Sequence, residues 1–208
     1  FEYVDEFSDG MAKVWHNDLC GMIDKSGNIV VPIIYGKIGR FTDGLAMACR
    51  DEKWGFIDKQ GNVVVTPVYD DTEAFHEGLA RVKINGKIGF IDKSGKEIIP
   101  PIYDEVGEFY EDLAEARANK KIGLIDKTGK TIIPLIYDEI FYGVFNNFTE
   151  GLLPVKQDNK WGFIDRTGKM VVAPVYDFVW NGEKGYIMVE KDGKCGMVDN
   201  TGKIIIPV

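Results

Sequence analysis

The stretch KIGFIDKSGKEIIPPIYD, residues 87–104, returns in variant form along most of the chain. It reads WGFIDKQGNVVVTPVYD from Trp54 and WGFIDRTGKMVVAPVYD from Trp161. A catalytic centre is normally assembled once, from unlike residues that distant segments contribute. A phrase that is copied at a fixed interval therefore indicates architecture before it indicates chemistry.

The copies can be counted on their glycines. The first glycine of the phrase occurs six times, at intervals of 34, 34, 34, 39 and 34 residues: Gly21, Gly55, Gly89, Gly123, Gly162 and Gly196. A tyrosine follows in five copies: Tyr35, Tyr69, Tyr103, Tyr137 and Tyr176. We predict one repeat domain over residues 1–208, with units at about 7–40, 41–74, 75–108, 109–147, 148–181, and 182–208 plus 1–6.

Each unit is predicted to be a meander of antiparallel strands. Two short apolar runs flank Asn85-Gly86, which is a strong hairpin signal. At the next corner Gly95 supplies the positive φ that closes the turn. The strand that carries Pro100 and Pro101 is expected at a sheet edge or broken there, because proline has no N–H to donate. No segment has a helical period with caps, so the fold class is all-β.

The arrangement of the six units has two solutions. A unit of about 34 residues is too small to stand alone, so neighbouring units bury faces against each other. We favour a propeller-like closed ring, because Phe1 takes the tyrosine position of the pattern and Val208 stops two places short of the next one. An open β-solenoid is the alternative, since 34 residues is short for four strands.

Composition excludes several classes of function. The net charge is −8 and the lysines are scattered, so nucleic acid is not an expected partner. No apolar run approaches membrane-spanning length, and the first residues do not resemble a signal peptide. The chain begins in mid-pattern, which leaves room for a removed leader and leaves the compartment and the oligomeric state open. Cysteine usage slightly favours the cytoplasm.

The residues quoted above resemble the bacterial WG repeat. Trp54-Gly55 and Trp161-Gly162 stand in KWGFIDKQG and KWGFIDRTG, followed by PVYD and by an F-x-E-G-L-A element, and the likeness covers all six units. The resemblance implies a protein that mediates interactions without known catalysis. Other apolar residues replace the tryptophan in four units, which indicates a packing position: Cys20, Ile88, Ile122 and Cys195.

Most recurrent side chains have a structural explanation. Six aspartates precede the turn glycines by three positions and are predicted to cap the turns: Asp24, Asp58, Asp92, Asp126, Asp165 and Asp199. The repeated tyrosines are expected to pack between sheets, and Cys20 and Cys195 are interpreted as small buried side chains. His16 and His76 are interpreted as solvated turn residues. We expect no metal and no cofactor, because neither zinc nor calcium spacing is present.

The candidate binding residues lie where the repeat is interrupted. The fourth unit carries five extra residues, which bring Phe141, Tyr142 and Phe145 together. The last unit reads FVWNGEKGYIMVE and introduces Trp180 and Tyr186. Exposed aromatic residues are typical anchors of protein interfaces. The alternatives are that the insertion folds back over a neighbouring unit and that the divergence of the last unit is structural.

These observations favour a non-catalytic scaffold that recognises another protein or a glycan. The alternative is a hydrolase with a carboxylate site at a ring centre or in a groove, which would rest on analogy of fold. A cluster of unlike polar groups with raised carboxyl pKa values would favour the enzyme.

Overall fold

A computed structural model of the chain describes residues 1–8, 10–110, 112–141, 151–180 and 185–208. These residues form 24 strands in six four-stranded antiparallel sheets, and no helix occurs among them. Each sheet is a meander in which every strand pairs with the next one along the chain. The structure divides into two compact units, residues 1–102 and 103–208, each of which is described by itself.

The first unit contains sheets 1 to 3. Sheet 1 consists of β1 (Tyr3–Val4), β2 (Met11–His16), β3 (Leu19–Asp24) and β4 (Ile29–Tyr35). Sheet 2 consists of β5 (Lys37–Ile38), β6 (Leu45–Arg50), β7 (Lys53–Asp58) and β8 (Val63–Tyr69). Sheet 3 consists of β9 (Asp71–Thr72), β10 (Leu79–Ile84), β11 (Lys87–Asp92) and β12 (Glu97–Tyr103).

The second unit contains sheets 4 to 6. Sheet 4 consists of β13 (Glu105–Val106), β14 (Leu113–Ala118), β15 (Lys121–Asp126) and β16 (Thr131–Tyr137). Sheet 5 consists of β17 (Glu139–Ile140), β18 (Leu152–Gln157), β19 (Lys160–Asp165) and β20 (Met170–Tyr176). Sheet 6 consists of β21 (Phe178–Trp180), β22 (Tyr186–Lys191), β23 (Lys194–Asp199) and β24 (Ile204–Ile206).

The corners follow the chemistry of their residues. Between β10 and β11, Asn85 and Gly86 have φ values of 52° and 77°, as a two-residue hairpin of primed type requires. At the next corner Gly95 has φ 84°. The hairpins and turns predicted from the sequence are therefore confirmed at these positions.

The first glycine of the phrase is required by a close backbone approach. A Cβ on Gly162 would lie 2.5 Å from the carbonyl oxygen of Val172, and one on Gly55 would lie 2.2 Å from that of Val65. The approach occurs where the fourth strand bulges over the third, with register shifts between Trp161 and Ile164. The fourth strand is also the edge strand of its sheet, which explains how it tolerates proline.

Each sheet has two unlike faces. The large-residue face carries the tryptophan position, the aromatic or aliphatic residue two places later, and the tyrosine. The small-residue face carries mainly Ala, Val and Ile. Between sheets 4 and 5 the large-residue face contributes Ile122, Leu124, Ile133 and Tyr137, and the small-residue face contributes Ile140, Leu153, Val155 and Ile164. The same packing joins sheets 5 and 6, sheets 1 and 2, and sheets 2 and 3.

This stacking supplies the core of each unit. Fully burying an aliphatic or aromatic side chain contributes roughly 1.5–3 kcal/mol, and one sheet alone has no partner for its large-residue face. In sheets 2 and 5 the hydrophobic residues that alternate along a strand therefore pack against two different neighbours, one on each side of the sheet.

Candidate protein-binding face

The large-residue face of sheet 5 shows what the repeat normally does with its apolar residues. Trp161, Phe163 and Tyr176 are 2%, 0% and 4% exposed. They pack against the small-residue face of sheet 6, which contributes Val179, Ile187, Val189 and Val198. On sheet 5, the tryptophan and tyrosine positions are therefore core positions.

The large-residue face of sheet 6 is exposed instead. Trp180 is 38% exposed, Tyr186 is 43% exposed and Met188 is 41% exposed, and Phe178, Cys195 and Ile206 are also exposed. We call this set the exposed face of sheet 6. Contiguous exposed apolar side chains of this kind are typical of interaction sites.

Strand register places these side chains on one face. Trp180 lies directly opposite Met188, Met188 opposite Met197, and Met197 opposite Ile206. Directly opposed residues of antiparallel strands point to the same side of a sheet, as do residues two apart on one strand. The rings of Phe178 and Trp180 are 4.8 Å apart between centroids. The other side of the sheet is buried in the core, which holds the exposed face in place.

Comparison with known proteins identifies the repeat. The model of the WG containing repeat matches residues 21–54, 54–87, 88–121, 122–161 and 161–195. The chain belongs to this family. Among curated proteins no sequence matches the chain.

Several solved structures are similar to this WG-repeat protein at low identity. A eukaryotic initiation factor matches with a TM-score of 0.40 and 11% identity over 99% of this chain and 65% of that one. AztD of Citrobacter koseri matches with a TM-score of 0.38 and 16% identity, over 97% and 69% of the two chains. Hsv2 of Kluyveromyces lactis matches with a TM-score of 0.37 and 11% identity, over 95% and 75%. The WG-repeat chain thus spans less than two thirds of the first of these.

The structure places the predicted binding residues in different settings. Trp180 and Tyr186 lie together on the exposed face of sheet 6. Phe141 packs instead on Trp161, with ring centroids 4.2 Å apart, and is partly buried in the core between sheets 5 and 6. Tyr142 and Phe145 lie outside the described residues.

Sequence reasoning missed Phe178, Met188 and Ile206 as members of this face. Phe178 and Met188 had a sequence signal, because they alternate with the buried residues Val179 and Ile187. Ile206 had none of this kind, since its whole strand is exposed. The prediction that Cys195 is a small buried side chain is wrong, since the thiol is exposed. It occupies the tryptophan position of its WG repeat, which the described part of the chain leaves uncovered in sheet 6.

The turn aspartates of the WG repeats are caps, as predicted. Asp92 accepts from the backbone N–H groups of Ser94 and Lys96 at 2.9 and 3.1 Å, and from the Ser94 hydroxyl at 2.6 Å. The hydroxyl bond, followed by the backbone bonds, holds the pKa of Asp92 below its usual value. Asp165 and Asp199 make the same contacts with Thr167 and Thr201.

The tyrosines of the WG repeats are buried, as predicted. All five are at most 6% exposed, and burial raises the pKa of each phenol: Tyr35, Tyr69, Tyr103, Tyr137 and Tyr176. Cys20 is buried as predicted, and burial raises the pKa of its thiol. His16 and His76 are exposed near turns.

A second carboxylate position was not assigned a role from the sequence. The aspartate that follows the repeated tyrosine accepts hydrogen bonds from two separate segments. Asp138 accepts from Lys121 Nζ at 2.6 Å and from the backbone N–H of Asp158 at 2.9 Å. Asp177 makes the same contacts with Lys160 and Asp192. The lysine bond, then the backbone bond, lowers the pKa of both aspartates. We call these residues clamp aspartates.

The described residues contain no group of three His, Cys, Asp or Glu side chains placed to hold a metal ion. They also contain no helix long and apolar enough to cross a membrane. Glu115 is a half-buried carboxyl whose pKa is raised by burial, although Arg117 opposes the shift.

Proposed function

We propose that this protein is a non-catalytic scaffold that binds another protein through the exposed face of sheet 6. One observation carries the proposal: positions that are buried between sheets 5 and 6 are open on sheet 6 itself, and they carry aromatic and sulfur side chains. Tryptophan and tyrosine are enriched among the residues that dominate binding energy at protein interfaces.

The packing within each unit indicates the kind of partner. In four cases the large-residue face of one sheet is covered by a β-sheet face made mainly of Ala, Val and Ile. The partner that fits the exposed face of sheet 6 is accordingly a protein that presents a sheet face of small aliphatic side chains. A glycan fits less well, because Met188 and Ile206 offer no hydrogen-bonding groups to sugar hydroxyls.

The propeller-like ring is a competing use of the same face. Its support is that every sheet carries complementary large-residue and small-residue faces, so that a closed series would leave none uncovered. We propose the ring as an alternative to partner binding, with the open solenoid as the arrangement that keeps the face free. Spin labels at residues 3 and 206 would be about 5–15 Å apart, a few strand spacings, in a ring and several times farther apart in a solenoid.

A hydrolase remains the second candidate, and Glu115 is the observation that favours it. A raised carboxyl pKa suits a general acid. The neighbouring carboxylate in sheet 4 does not complete such a pair, because Glu105 forms an ion pair with Arg117 at 3.4 Å. The scaffold is therefore the better-supported function.

The test uses the exposed thiol of Cys195 as an attachment point. A benzophenone placed there would cross-link whatever lies on the face, and mass spectrometry would identify the protein and the residues attached. We expect one protein, joined through a sheet face of small aliphatic residues. Once that protein is purified, Trp180→Ser should weaken its binding at least about tenfold.

Ile136→Ser is the matched control, since Ile136 is 47% exposed in sheet 4, away from this face. It should bind like the unchanged protein. Cross-linking to a second copy of the chain, or attachment that Trp180→Ser leaves unaltered, would refute the proposal. Retention of the melting temperature in both variants shows that folding is intact.

A further inference from the structure

Five of the six sheets use a carboxylate to cap the hairpin between their second and third strands. In each case a side-chain carboxylate accepts from the first backbone N–H of the hairpin, at 2.6 to 3.2 Å: Glu2 with Asn17, Asp70 with Asn85, Asp104 with Asn119, Asp138 with Asp158, and Asp177 with Asp192. The hairpin amide is thus a carboxylate-binding position built into the repeat.

Sheet 2 lacks this carboxylate. Gly36 stands in the clamp position, and its own N–H bonds to the Cys49 carbonyl as the Asp70 N–H bonds to that of Lys83. The equivalent hairpin amide is that of Asp51, and no acceptor for it occurs among the residues that the structure describes. Leu19 stands at the position of the lysine that bonds to the clamp aspartate in other repeats. The ion pair between a lysine and the clamp aspartate is therefore missing here, because both of its residues are replaced.

A groove lies where the pair is missing. It encloses about 740 Å³ and is lined by Leu19, Ile34, Gly36, Arg50 and Trp54 among others. A second cavity of about 310 Å³ shares Gly36, Lys37 and Trp54 with it and adds Trp15. The groove thus offers apolar and aromatic walls beside an unused backbone donor, within the first unit.

The charges around the groove favour a monoanion. Lys37 replaces the acid that sheets 3 to 5 carry at its position, namely Asp71, Glu105 and Glu139. No carboxylate forms an ion pair with Lys37 among the described residues. Arg50 pairs with Asp51 at 3.5 Å, and Glu52 also lies at the rim. These two rim acids oppose a ligand with two negative charges.

We propose that this groove binds a carboxylate carried on a flat, apolar group. The ligand carboxylate takes the place of the absent clamp aspartate and accepts from the Asp51 N–H, close to the Lys37 ammonium. The ring or chain of the ligand lies against Trp54, Leu19 and Ile34. The site has room for this because a Cβ on Gly36 would meet no heavy atom closer than 3.9 Å.

The direct test is a titration of the labelled protein with phenylacetate, followed through the ¹⁵N–¹H signal of Asp51. We expect that signal to shift saturably. Phenylacetamide, which has the ring without the charge, should leave it in place, and acetate should act only at far higher concentration. A tripeptide ending in phenylalanine, with a free or an amidated terminus, shows whether the carboxylate is preferred on a small acid or on a polypeptide end.

The matched variants place the repeat's own side chain in the site. Gly36→Asp supplies the carboxylate that the other sheets have and should abolish the shift caused by phenylacetate. Gly36→Ala adds a methyl group without an acceptor and should retain it. Lys37→Gln should weaken binding about threefold, in the range of an exposed charge pair.

Trp54→Ile adds a test of the aromatic wall, because two repeats carry isoleucine at that position. It should weaken phenylacetate binding, whereas Trp161→Ile in the second unit should not. The proposal would be overturned if phenylacetate did not shift the Asp51 signal. Equal binding of phenylacetate by Gly36→Asp and by the unchanged protein would overturn it as well. Of these variants only Trp161→Ile contacts sheet 6. The variants at Gly36, Lys37 and Trp54 lie in the first unit, so their outcome is independent of the partner-binding face.

Discussion

Sheets 5 and 6 share the same four-stranded meander but use their large-residue faces differently. In sheet 5 the residues Trp161 and Phe163 are buried under the next sheet. In sheet 6 the equivalent residues are Cys195 and Met197, which are exposed and half-buried. The repeat therefore contains two separable sets of residues. One set forms the sheet, and the other packs against the neighbouring sheet.

Three features that form the sheet recur in the two copies. Both third strands contain the tightly packed glycine, both turns contain a capping aspartate, and both hairpins are capped by a clamp aspartate. The main differences are the face residues and the shorter fourth strand of sheet 6. The exposed face of sheet 6 is thus a change of side chains on a conserved sheet geometry within one chain.

The largest expected effect separates buried from exposed members of the same repeat position. Phe163→Ala should lower the free energy of unfolding by about 3–5 kcal/mol, because it empties a fully buried site. Met197→Ala, at the equivalent position of sheet 6, should cost less than about 1 kcal/mol. Urea denaturation followed by circular dichroism measures both.

Equal losses for Phe163→Ala and Met197→Ala would show that the face of sheet 6 is covered in solution. That result would favour a closed ring or a self-associated form over an open binding face. Repeating the measurement at several protein concentrations distinguishes the two, because only self-association depends on concentration.

The second expected effect concerns the glycine that the two sheets share. Gly162→Ala and Gly196→Ala would bring a Cβ to 2.5 and 2.6 Å from the carbonyl oxygens of Val172 and Ile206. Each should cost about 1–3 kcal/mol, as overpacking does, because the strain lies within one sheet and does not depend on a covering neighbour.

Gly107→Ala provides the control, since its Cβ would meet only ordinary contacts at 3.9 Å and its φ is not positive. It should leave the urea midpoint unchanged or raise it slightly. If Gly196→Ala were harmless while Gly162→Ala was costly, the glycine would be serving the covering sheet rather than its own.

The fold was predictable because its causes are local. Asn85-Gly86 and Gly95 specify corners by backbone conformation, and the aspartates specify caps by side-chain reach, so a single copy of the repeat contains each signal. The burial of Tyr35 and its equivalents followed from periodicity. Such features do not depend on which sheets become neighbours.

The candidate sites were less predictable, because they depend on whether another part of the chain covers a position or supplies its hydrogen-bond partner. Cys195 shares its position with buried Trp161, and only packing shows that one is covered and the other is not. Phe141 reads as an exposed anchor but finds Trp161 to pack against. Gly36 in place of a clamp aspartate was visible in the sequence. Its meaning required the hydrogen bond that Asp70 makes to Asn85.

The smallest expected effect is a dependence on pH that the two sheets share. Hydrogen bonds from the hydroxyls of Thr167 and Thr201, the largest cause in each case, lower the pKa values of Asp165 and Asp199. A carboxyl whose pKa is lower in the folded state stabilises the fold above its unfolded value of about 3.9. That stabilisation is lost as the pH falls through the folded pKa. Urea midpoints should therefore be nearly constant from about pH 7 to 5 and decline below about pH 4.

Asp165→Asn and Asp199→Asn should each lower the midpoint slightly at neutral pH and make the acid decline shallower, by similar amounts. The similarity follows because both turns are exposed and neither cap touches the covered face. If only the sheet 5 variant changed the acid decline, the cap would be coupled to the packing of its sheet against the next one. The turn aspartate would then belong both to the residues that form the sheet and to those that pack against its neighbour.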